Sequence, residues 1–488
     1  MDLSRRKMLS AMALASLSLS GCESLIGRYE EAVDPLPEQL GLAQGDAQID
    51  PAFHLLSRAA YGPRPGDVDY VRRIGTAAWI EEQLEPQKID DRLGELRTRR
   101  FESVLLDPAS CYDFKKEILR RDLTDHTLLR AVYSKRQLFE VMVGFWSDHF
   151  NINLEKGDCI YLKGADDRTV IRNHCLGKFK DLVKASALSP AMLVYLDGAE
   201  NRKVTAQDVP NENYGRELME LHTLGVNGGY TQKDVSEAAR ALTGWTLTRG
   251  WGKGKVEFRP HFHDDGAKEI LGVRLPAGGG AADLDRLIDI VSAHSSTARH
   301  IAYKLCRHFV GDEPPSELVG AVAETFIDTD GDIKAMLRKI LNAPQFYSAA
   351  GRRIKRPMQF IASALRAMRA DVCGRGRGEL ISYLNSMGQG LFEYPTPDGY
   401  PDDSAFWIGS LVFRWNFAMA LAANSVPETK IDLERLTKII SGDDSDPTQV
   451  FAYLTGRRPN QHETAVLGDK QGSQLYGLIL ASPAFQRC

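Results

Sequence analysis

The chain has 488 residues, of which 43% are hydrophobic and 26% are charged. This composition is typical of a globular protein and excludes a chain that is mainly disordered. The formal net charge of −4 argues against a nucleic-acid-binding protein, because such proteins usually carry a concentrated basic surface.

The N-terminus has the features of an export signal. Arg5 and Arg6 precede an apolar run at 8–19, and small residues follow up to Cys22. The run is too short to span a bilayer comfortably, so it predicts a signal peptide rather than a stable anchor. The paired arginines resemble a twin-arginine signal. The sequence LSGC at 19–22 resembles a lipobox, in which Cys22 is acylated.

We therefore expect an exported lipoprotein. Lipid on Cys22 would hold it at the cell membrane or outer membrane, facing the periplasm or the outside. A plain secretory peptide that is cleaved nearby is the alternative. Nucleic acid is not an expected partner.

Four segments are predicted along the chain: an export signal at 1–21, a tether at 22–50, a helical core at 51–350 and a C-terminal helical part at 351–488 packed on that core. From residue 51 onward, apolar residues recur three and four positions apart, which is typical of amphipathic helices. The pattern breaks at about 245–275, where alternation around a Gly/Lys turn indicates a β-hairpin or long loop. We predict a mainly α fold, a large multi-helix body with this one inserted hairpin.

Six cysteines remain once Cys22 is set aside. Their spacing shows neither a CxxC pair nor a zinc ribbon. Cys159 and Cys175 are the one candidate disulfide, and buried free thiols are the favoured alternative.

Several segments together resemble a bacterial family. They include HLLSRAAYGPRPGD, FWSDHFNIN, NENYGRELMELHTLGVNGGYTQKDV, FHDDGAKEILG, STARHIAYKLCRHFVGDEPP and YPTPDGYPDDSAFW, in this order along the chain. From about residue 51 to the C-terminus the sequence resembles the domain of unknown function 1800 (DUF1800) family. The resemblance implies a predominantly helical exported protein. It also implies a candidate partner, an exported protein similar to the alkaline-phosphatase superfamily, but it assigns no reaction.

The helix predicted at 211–225 carries the first candidate site. Glu217 and Glu220 share one face and could hold a metal ion together with ligands from elsewhere. Arg216 is four residues from Glu220 and can pair with it. The alternative is a polar helix that this ion pair stabilises, with no role in a site.

Two further segments carry histidines. His261 and His263 alternate, so in a strand they would face the same side, and Asp264 could orient an imidazole. Lys268 adds a cation that can pair with a carboxylate or an anionic substrate group. A surface β-turn is the alternative for this segment. His149 follows an apolar helix face, where a histidine at a helix end or a pocket residue would both fit.

One stripe is predicted to face solvent. His300, Lys304 and His308 are spaced four residues apart on one helix, and such a stripe is most often solvated.

The working hypothesis is a metal-assisted hydrolase that acts on an extracellular substrate. In this hypothesis five side chains converge on a divalent metal ion and activate a bound water: His149, Glu217, Glu220, His263 and Asp264. Arg216 or Lys268 would stabilise developing negative charge. The alternative is a non-enzymatic helical scaffold for the phosphatase-superfamily-like protein, which would expose an apolar patch.

Overall fold

A computed structural model of the chain describes residues 26–42, 48–248, 250, 253–372, 378–442 and 446–488. The fold is mainly α with short strand pairs, which confirms the predicted fold class. The predicted export signal and lipidation residues, Arg5, Arg6 and Cys22, lie outside the described residues, so their roles stay predictions.

Six helices border a group of buried histidines and the cavity beside it, or carry a row of exposed apolar side chains. They are α1 (Pro51–Arg58), α2 (Gln137–His149), α3 (Asn213–Glu217), α4 (Ser295–Phe309), α5 (Pro357–Ala367) and α6 (Leu411–Ala422). Two π-helical turns, Asp167–Ile171 and Leu218–Thr223, interrupt the regular pattern, and the second continues α3 directly. Such turns are frequent at functional sites.

The remaining α-helices form the body around these six. They are Asp67–Ile74, Thr76–Gln83, Arg92–Thr98, Pro108–Cys111, Lys116–Tyr133, Cys159–Asp166, Arg172–His174, Phe179–Ala187, Pro190–Tyr195, Gln232–Ala241, Ala282–Ala293, Ser316–Asp328, Ile333–Leu341, Pro344–Ser348, Glu379–Ser386, Ser404–Trp407, Leu433–Ser441, Pro447–Thr455, Gln461–Leu467, Gly472–Ala481 and Pro483–Gln486. Short 3₁₀ turns cover Pro86–Lys88, Glu102–Leu105, Gly198–Glu200, Pro260–Phe262 and Ile408–Ser410.

Short polar side chains begin several of these helices as the sequence leads one to expect. Asp50 accepts hydrogen bonds from the first backbone amides of α1, with Pro51 at the first helical position. Asp332 accepts from the backbone N–H of Ala335 and so caps the helix that follows. Thr231 and Asp234 form a reciprocal capping box.

The region 245–275 contains two short hairpins instead of the single one predicted. Trp245–Leu247 pairs antiparallel with Val256–Phe258, and Lys268–Ile270 pairs antiparallel with Val273–Leu275. Residues Pro260–Phe262 form a 3₁₀ turn between them. A third pair joins Asp371–Val372 to Thr429–Lys430.

Two apolar cores stabilise the body. The first is built from residues between 52 and 349, and the second combines residues 101–160 with residues 358–485. The second core therefore joins sequence-distant helices. The described cysteines are free and buried, so Cys159 and Cys175 are not bridged.

Candidate functional site

The end of α2 meets the middle of α4 at a buried histidine. His149 is 1% exposed, and its Nε2 lies 3.0 Å from the backbone oxygen of His222. Because a carbonyl oxygen only accepts, Nε2 carries the ring proton and Nδ1 is left as an acceptor. Lys304 Nζ lies 2.8 Å from that Nδ1, so the lysine amine donates to the imidazole.

Two more imidazoles lie beside this pair. The ring centroids of His222 and His300 are 6.1 Å and 6.4 Å from that of His149. Both ring nitrogens of His222, and Nε2 of His300, are buried without a hydrogen-bond partner among the described residues. Gly225 has φ +84°, and a Cβ there would lie 2.8 Å from His300 Nδ1, so glycine allows this close approach.

Burial keeps the three imidazoles uncharged near neutral pH. It lowers the pKa of His222 to about 3 and that of His300 to about 4, and it lowers the pKa of His149 well below its usual range. The nearby Lys304 lowers all three pKa values further. Neutral imidazoles are therefore the stable form here.

Among the titratable groups of this cluster, Lys304 has the pKa that is closest to physiological pH. Burial lowers its pKa to about 8, the carboxylates of Asp148 and Asp398 raise it, and Arg307 lowers it. The residue as a whole is half-buried. Lysines with a lowered pKa serve as bases and nucleophiles in enzymes.

A cavity of about 100 Å³ lies next to the cluster. Asp148, which precedes His149, and His308, one turn beyond Lys304, are both in its wall. Its other walls mix charged and apolar side chains from α1, α2, α5 and the residues next to them: Arg58, Tyr61, Glu140, Phe145, Arg356 and Met358. The volume is enough for several waters or a small organic group.

The loop at 394–403 closes one side of this cavity. The amide nitrogen of Asn151 donates to the backbone oxygens of Tyr394 and Thr396 at 3.0 Å and 2.7 Å. Gly399 has φ +74°, and a Cβ there would lie only 2.1 Å from the backbone oxygen of Asp148. A glycine is therefore required where this loop crosses the end of α2.

The predicted residues on the 211–225 helix lie close to this cluster but pair differently from the prediction. Glu217 and Glu220 lie close enough to interact. Burial has the largest effect on Glu217 and raises its pKa, and the charges of Glu220 and Asp398 raise this pKa further. The predicted pair of Arg216 with Glu220 is wrong. Arg216 pairs with Glu212 at 3.1 Å, and Glu220 accepts a hydrogen bond from Tyr230 at 3.0 Å.

The predicted residues of the second segment belong to a separate charged cluster around Asp283. Lys268 Nζ lies 2.7 Å from Asp283 Oδ2, and His263 Nε2 lies 3.3 Å from the same oxygen. His263 Nδ1 lies 2.9 Å from the backbone oxygen of Thr243. His261 is exposed on the 3₁₀ turn and does not share the side of His263.

Asp264 is fully engaged in the same cluster. Its carboxylate accepts from Arg240 and Lys203, each at 2.8 Å. The hydrogen bonds from Arg240 hold the pKa of this carboxyl well below its usual range, although burial opposes them. These contacts indicate that Lys268, His263 and Asp264 stabilise the fold between the hairpins and the helix Ala282–Ala293.

The structure does not assemble the metal-binding set that the sequence suggested. Among the described residues, no group of three or more His, Cys, Asp and Glu side chains is arranged to hold a metal ion. The physical reason is visible in the contacts: both ring nitrogens of His149 and both of His263 face protein partners, and Asp264 is neutralised by cations. Catalytic roles for Glu217, Glu220, Arg216 and Lys268 stay predictions.

Comparison with known proteins gives one result of wide coverage. Residues 54–487 match the family described as "Protein of unknown function (DUF1800)". The chain belongs to the DUF1800 family. No curated protein and no solved structure matches it.

In this DUF1800 protein, the segments that carry the family resemblance meet at the histidine cluster. FWSDHFNIN supplies His149, NENYGRELMELHTLGVNGGYTQKDV supplies His222, STARHIAYKLCRHFVGDEPP supplies His300 and Lys304, and YPTPDGYPDDSAFW supplies Asp398. The tertiary fold brings these four distant segments to one place.

The sequence analysis missed Lys304 and His300 because it expected their stripe to face solvent. In the DUF1800 fold the stripe faces the end of α2, and burial lowers the pKa of each of its three members. The clue in the sequence was the repeat of titratable residues at every fourth position. Spacing of this kind shows which residues share a side, but not what that side faces.

Proposed function

We propose that this protein is an exported, lipid-anchored enzyme that hydrolyses a small extracellular substrate, with Lys304 as its general base. The observation that carries the proposal is the pair of Lys304 Nζ and His149 Nδ1, 2.8 Å apart, beside a cavity. Export and lipid attachment at Cys22 rest on the N-terminal sequence. The proposal keeps the hydrolytic reaction expected from the sequence and replaces the metal-bound water by a lysine base.

The lysine acts in its neutral form. The amine of Lys304 takes a proton from a water molecule as that water attacks the electrophilic centre of the substrate, and the ammonium returns this proton to the leaving group as its bond to that centre breaks. The resulting ammonium donates one hydrogen bond to His149 Nδ1, whose own proton is held on Nε2 by the His222 carbonyl. His149 therefore positions the amine and cannot itself become the proton donor at Nδ1.

Negative charge that develops on the substrate has cations nearby. Arg307 lies on α4 three residues after Lys304, and its Nε is buried without a hydrogen-bond partner among the described residues. Arg58, Arg353 and Arg356 line the adjoining cavity. Donors that already point at such a site cost little reorganisation when the charge forms.

A metal-dependent reaction would require a different arrangement. His149 would have to release either the His222 carbonyl or Lys304 before it could bind an ion. Elemental analysis of the protein purified from its native export route measures this directly. A stoichiometric transition metal, lost on substitution of Glu217 or His149, would contradict the lysine mechanism.

The decisive experiment measures hydrolysis of chromogenic esters, anilides, phosphoesters and glycosides between pH 6 and pH 10. We expect Lys304→Met to lower kcat/KM for the accepted substrate by about 100-fold or more. Lys233→Met, at an exposed lysine paired with Glu269, is the control and should leave the rate unchanged. Equal rates for the native chain and Lys304→Met would refute the proposal.

The alternative function is the non-enzymatic scaffold for a phosphatase-superfamily-like exported protein. It requires an exposed apolar surface, and such a surface exists along residues 406–419. The scaffold would leave Lys304→Met without any effect on hydrolysis, whereas substitutions on that surface would abolish complex formation.

A further inference from the structure

A row of large apolar side chains is exposed along the helical stretch that ends with α6. It consists of Phe406, Ile408, Leu411, Val412, Phe413, Trp415 and Met419, which are between 40% and 60% exposed. We refer to these seven residues as the 406–419 face. A continuous exposed apolar surface of this kind marks a site of association with another apolar surface.

The opposite side of the same stretch belongs to the second core. Phe417 and Leu421 are buried, and α6 packs along the helix Gly472–Ala481. The charged residue of the stretch, Arg414, is also buried, where it donates to Ser410 at 2.8 Å and to Gln486 at 3.0 Å. The stretch is therefore apolar on both sides, a pattern normally found where a helix has apolar surroundings all round.

Length and composition alone would allow this stretch to cross a membrane. Ser404–Ala422 spans 19 residues with a mean hydropathy of 1.3, and among the described residues it is the one helical stretch that meets this criterion. However, 39% of it is buried within the protein. Crossing a bilayer would separate α6 from its core, whereas lying parallel to the bilayer surface exposes only the 406–419 face to lipid.

The N-terminal part of the chain contacts the helix Leu433–Ser441, which follows α6 in the sequence. Residues 26–33 are helical, and Glu31 Oε1 lies 2.5 Å from Arg435 Nη1 in the helix that follows α6. Cys22 is four residues before Ile26, so a lipid on Cys22 would be within about 14 Å of the first described residue.

We propose that the 406–419 face lies on the lipid bilayer and fixes the orientation of the protein at the membrane. Phe406, Phe413 and Trp415 supply the aromatic side chains that prefer the boundary between lipid and water. The choice of a bilayer over a protein partner rests on the proposed lipid attachment at Cys22. Direct contact through α6 adds a second membrane attachment to the acyl chains.

The test uses the chain from residue 23 onward, which carries no lipid and keeps every described residue. Its flotation with vesicles of phosphatidylethanolamine and phosphatidylglycerol is compared with that of Ile408→Ser/Val412→Ser/Phe413→Ser. We expect the native chain to float with the vesicles and the triple variant to bind about ten-fold more weakly or worse, because it loses exposed apolar area. Val204→Ser/Val209→Ser/Val226→Ser, at similarly exposed valines elsewhere, should bind like the native chain.

A second readout requires only one conservative substitution on the face. Brominated lipids should quench the fluorescence of Trp415, which is 48% exposed, and Trp415→Phe should remove this quenching. Absence of vesicle binding, equal binding of the two triple variants, or a dimer that only the Ile408→Ser/Val412→Ser/Phe413→Ser variant disrupts would each overturn the proposal. Missing acylation of Cys22 in the native host would contradict the proposed lipid anchor while leaving the vesicle result unaffected.

Discussion

Lys304 Nζ donates to His149 Nδ1 across 2.8 Å, and the backbone oxygen of His222 holds the other ring nitrogen at 3.0 Å. The histidine is thereby fixed in one tautomer, and the lysine has an acceptor on one side only. Burial, rather than this hydrogen bond, lowers the pKa of the Lys304 amine to about 8, which lies within reach of neutral pH. It also leads to predictions that do not require knowledge of the substrate.

Competitive labelling with acetic anhydride should single out Lys304. Because only the neutral amine reacts, its modification should rise with an inflection near pH 8, the pKa that burial gives this lysine. Lys233 is the internal control, since its hydrogen bond to Glu269 raises the pKa. Mass spectrometry of peptides labelled between pH 6 and pH 11 measures both curves. Coincident inflections for the two lysines would contradict a lowered pKa at Lys304.

Lys304→Met should stabilise the protein at pH 7. The folded-state pKa is lower than the ordinary 10.5, so burying the charged amine lowers the free energy of unfolding. This penalty has its full value below pH 8. The penalty disappears as the pH rises from 8 towards 10.5, because the folded protein then releases its proton first. We expect a gain of about 1–2 kcal/mol in the free energy of unfolding at pH 7, shrinking by pH 10. Urea unfolding at both pH values measures it, and a gain that grows with pH would refute the explanation.

Acid should destabilise the native protein partly through His222. Its folded-state pKa is about 3, against an ordinary value of 6.5, so the unfolded chain binds the proton first as the pH falls below 6.5. Between pH 7 and pH 5 this residue should account for about 2 kcal/mol of lost stability. His222→Leu should therefore lose less stability between pH 7 and pH 5 than the native chain. His261→Leu, at an exposed histidine, should lose as much stability as the native chain. Parallel curves for all three proteins would exclude this contribution.

Lys268→Met should unfold the protein more easily without affecting the site at Lys304. The substitution removes a cation 2.7 Å from Asp283, a carboxylate that is 0% exposed. Loss of one member of a buried ion pair costs about 3 kcal/mol. Lys233→Met breaks only an exposed pair and should change stability by about 0.5 kcal/mol or less. Altered labelling of Lys304 in Lys268→Met would show that the two clusters are coupled after all.

Gly399→Ala should be strongly destabilising because two effects combine. The backbone has φ +74°, and the new Cβ would lie 2.1 Å from the backbone oxygen of Asp148. Gly388→Ala has a similar φ of +86° with no atom within 4 Å, so it isolates the conformational effect. We expect a loss of about 1 kcal/mol for Gly388→Ala and about 3 kcal/mol for Gly399→Ala. Equal melting temperatures would show that the 394–403 loop can move away from α2.

Much of the fold follows from local sequence. Apolar spacing indicated amphipathic helices from residue 51 onward, since periodicity depends only on neighbouring side chains. Asp332 was identified as a helix cap because its side chain acts on its own helix. The hairpin region was located, but its division into two pairs depends on contacts with the helices Gln232–Ala241 and Ala282–Ala293, which no local pattern contains.

The candidate site was predictable only in part. The sequence shows which residues are polar, but it does not show which distant groups their side chains face. The sequence named Glu217 because it shares a helix face with Glu220, and it named His149 because this residue follows an apolar helix face. It also grouped His263 and Asp264 with them, although these two face Asp283 and cations instead. Charge partners of this kind come from residues that are far apart in the chain.

By itself the sequence determined a mainly helical DUF1800 protein with a fold that local patterns largely indicate. Only the tertiary structure decided that the stripe of His300, Lys304 and His308 is buried against α2 and that the 406–419 face is exposed. Spacing along a helix fixes which side chains point the same way, because that is a property of one helix. Whether that side meets protein, water or lipid depends on how distant helices pack, and the lowered pKa of Lys304 arises from that burial.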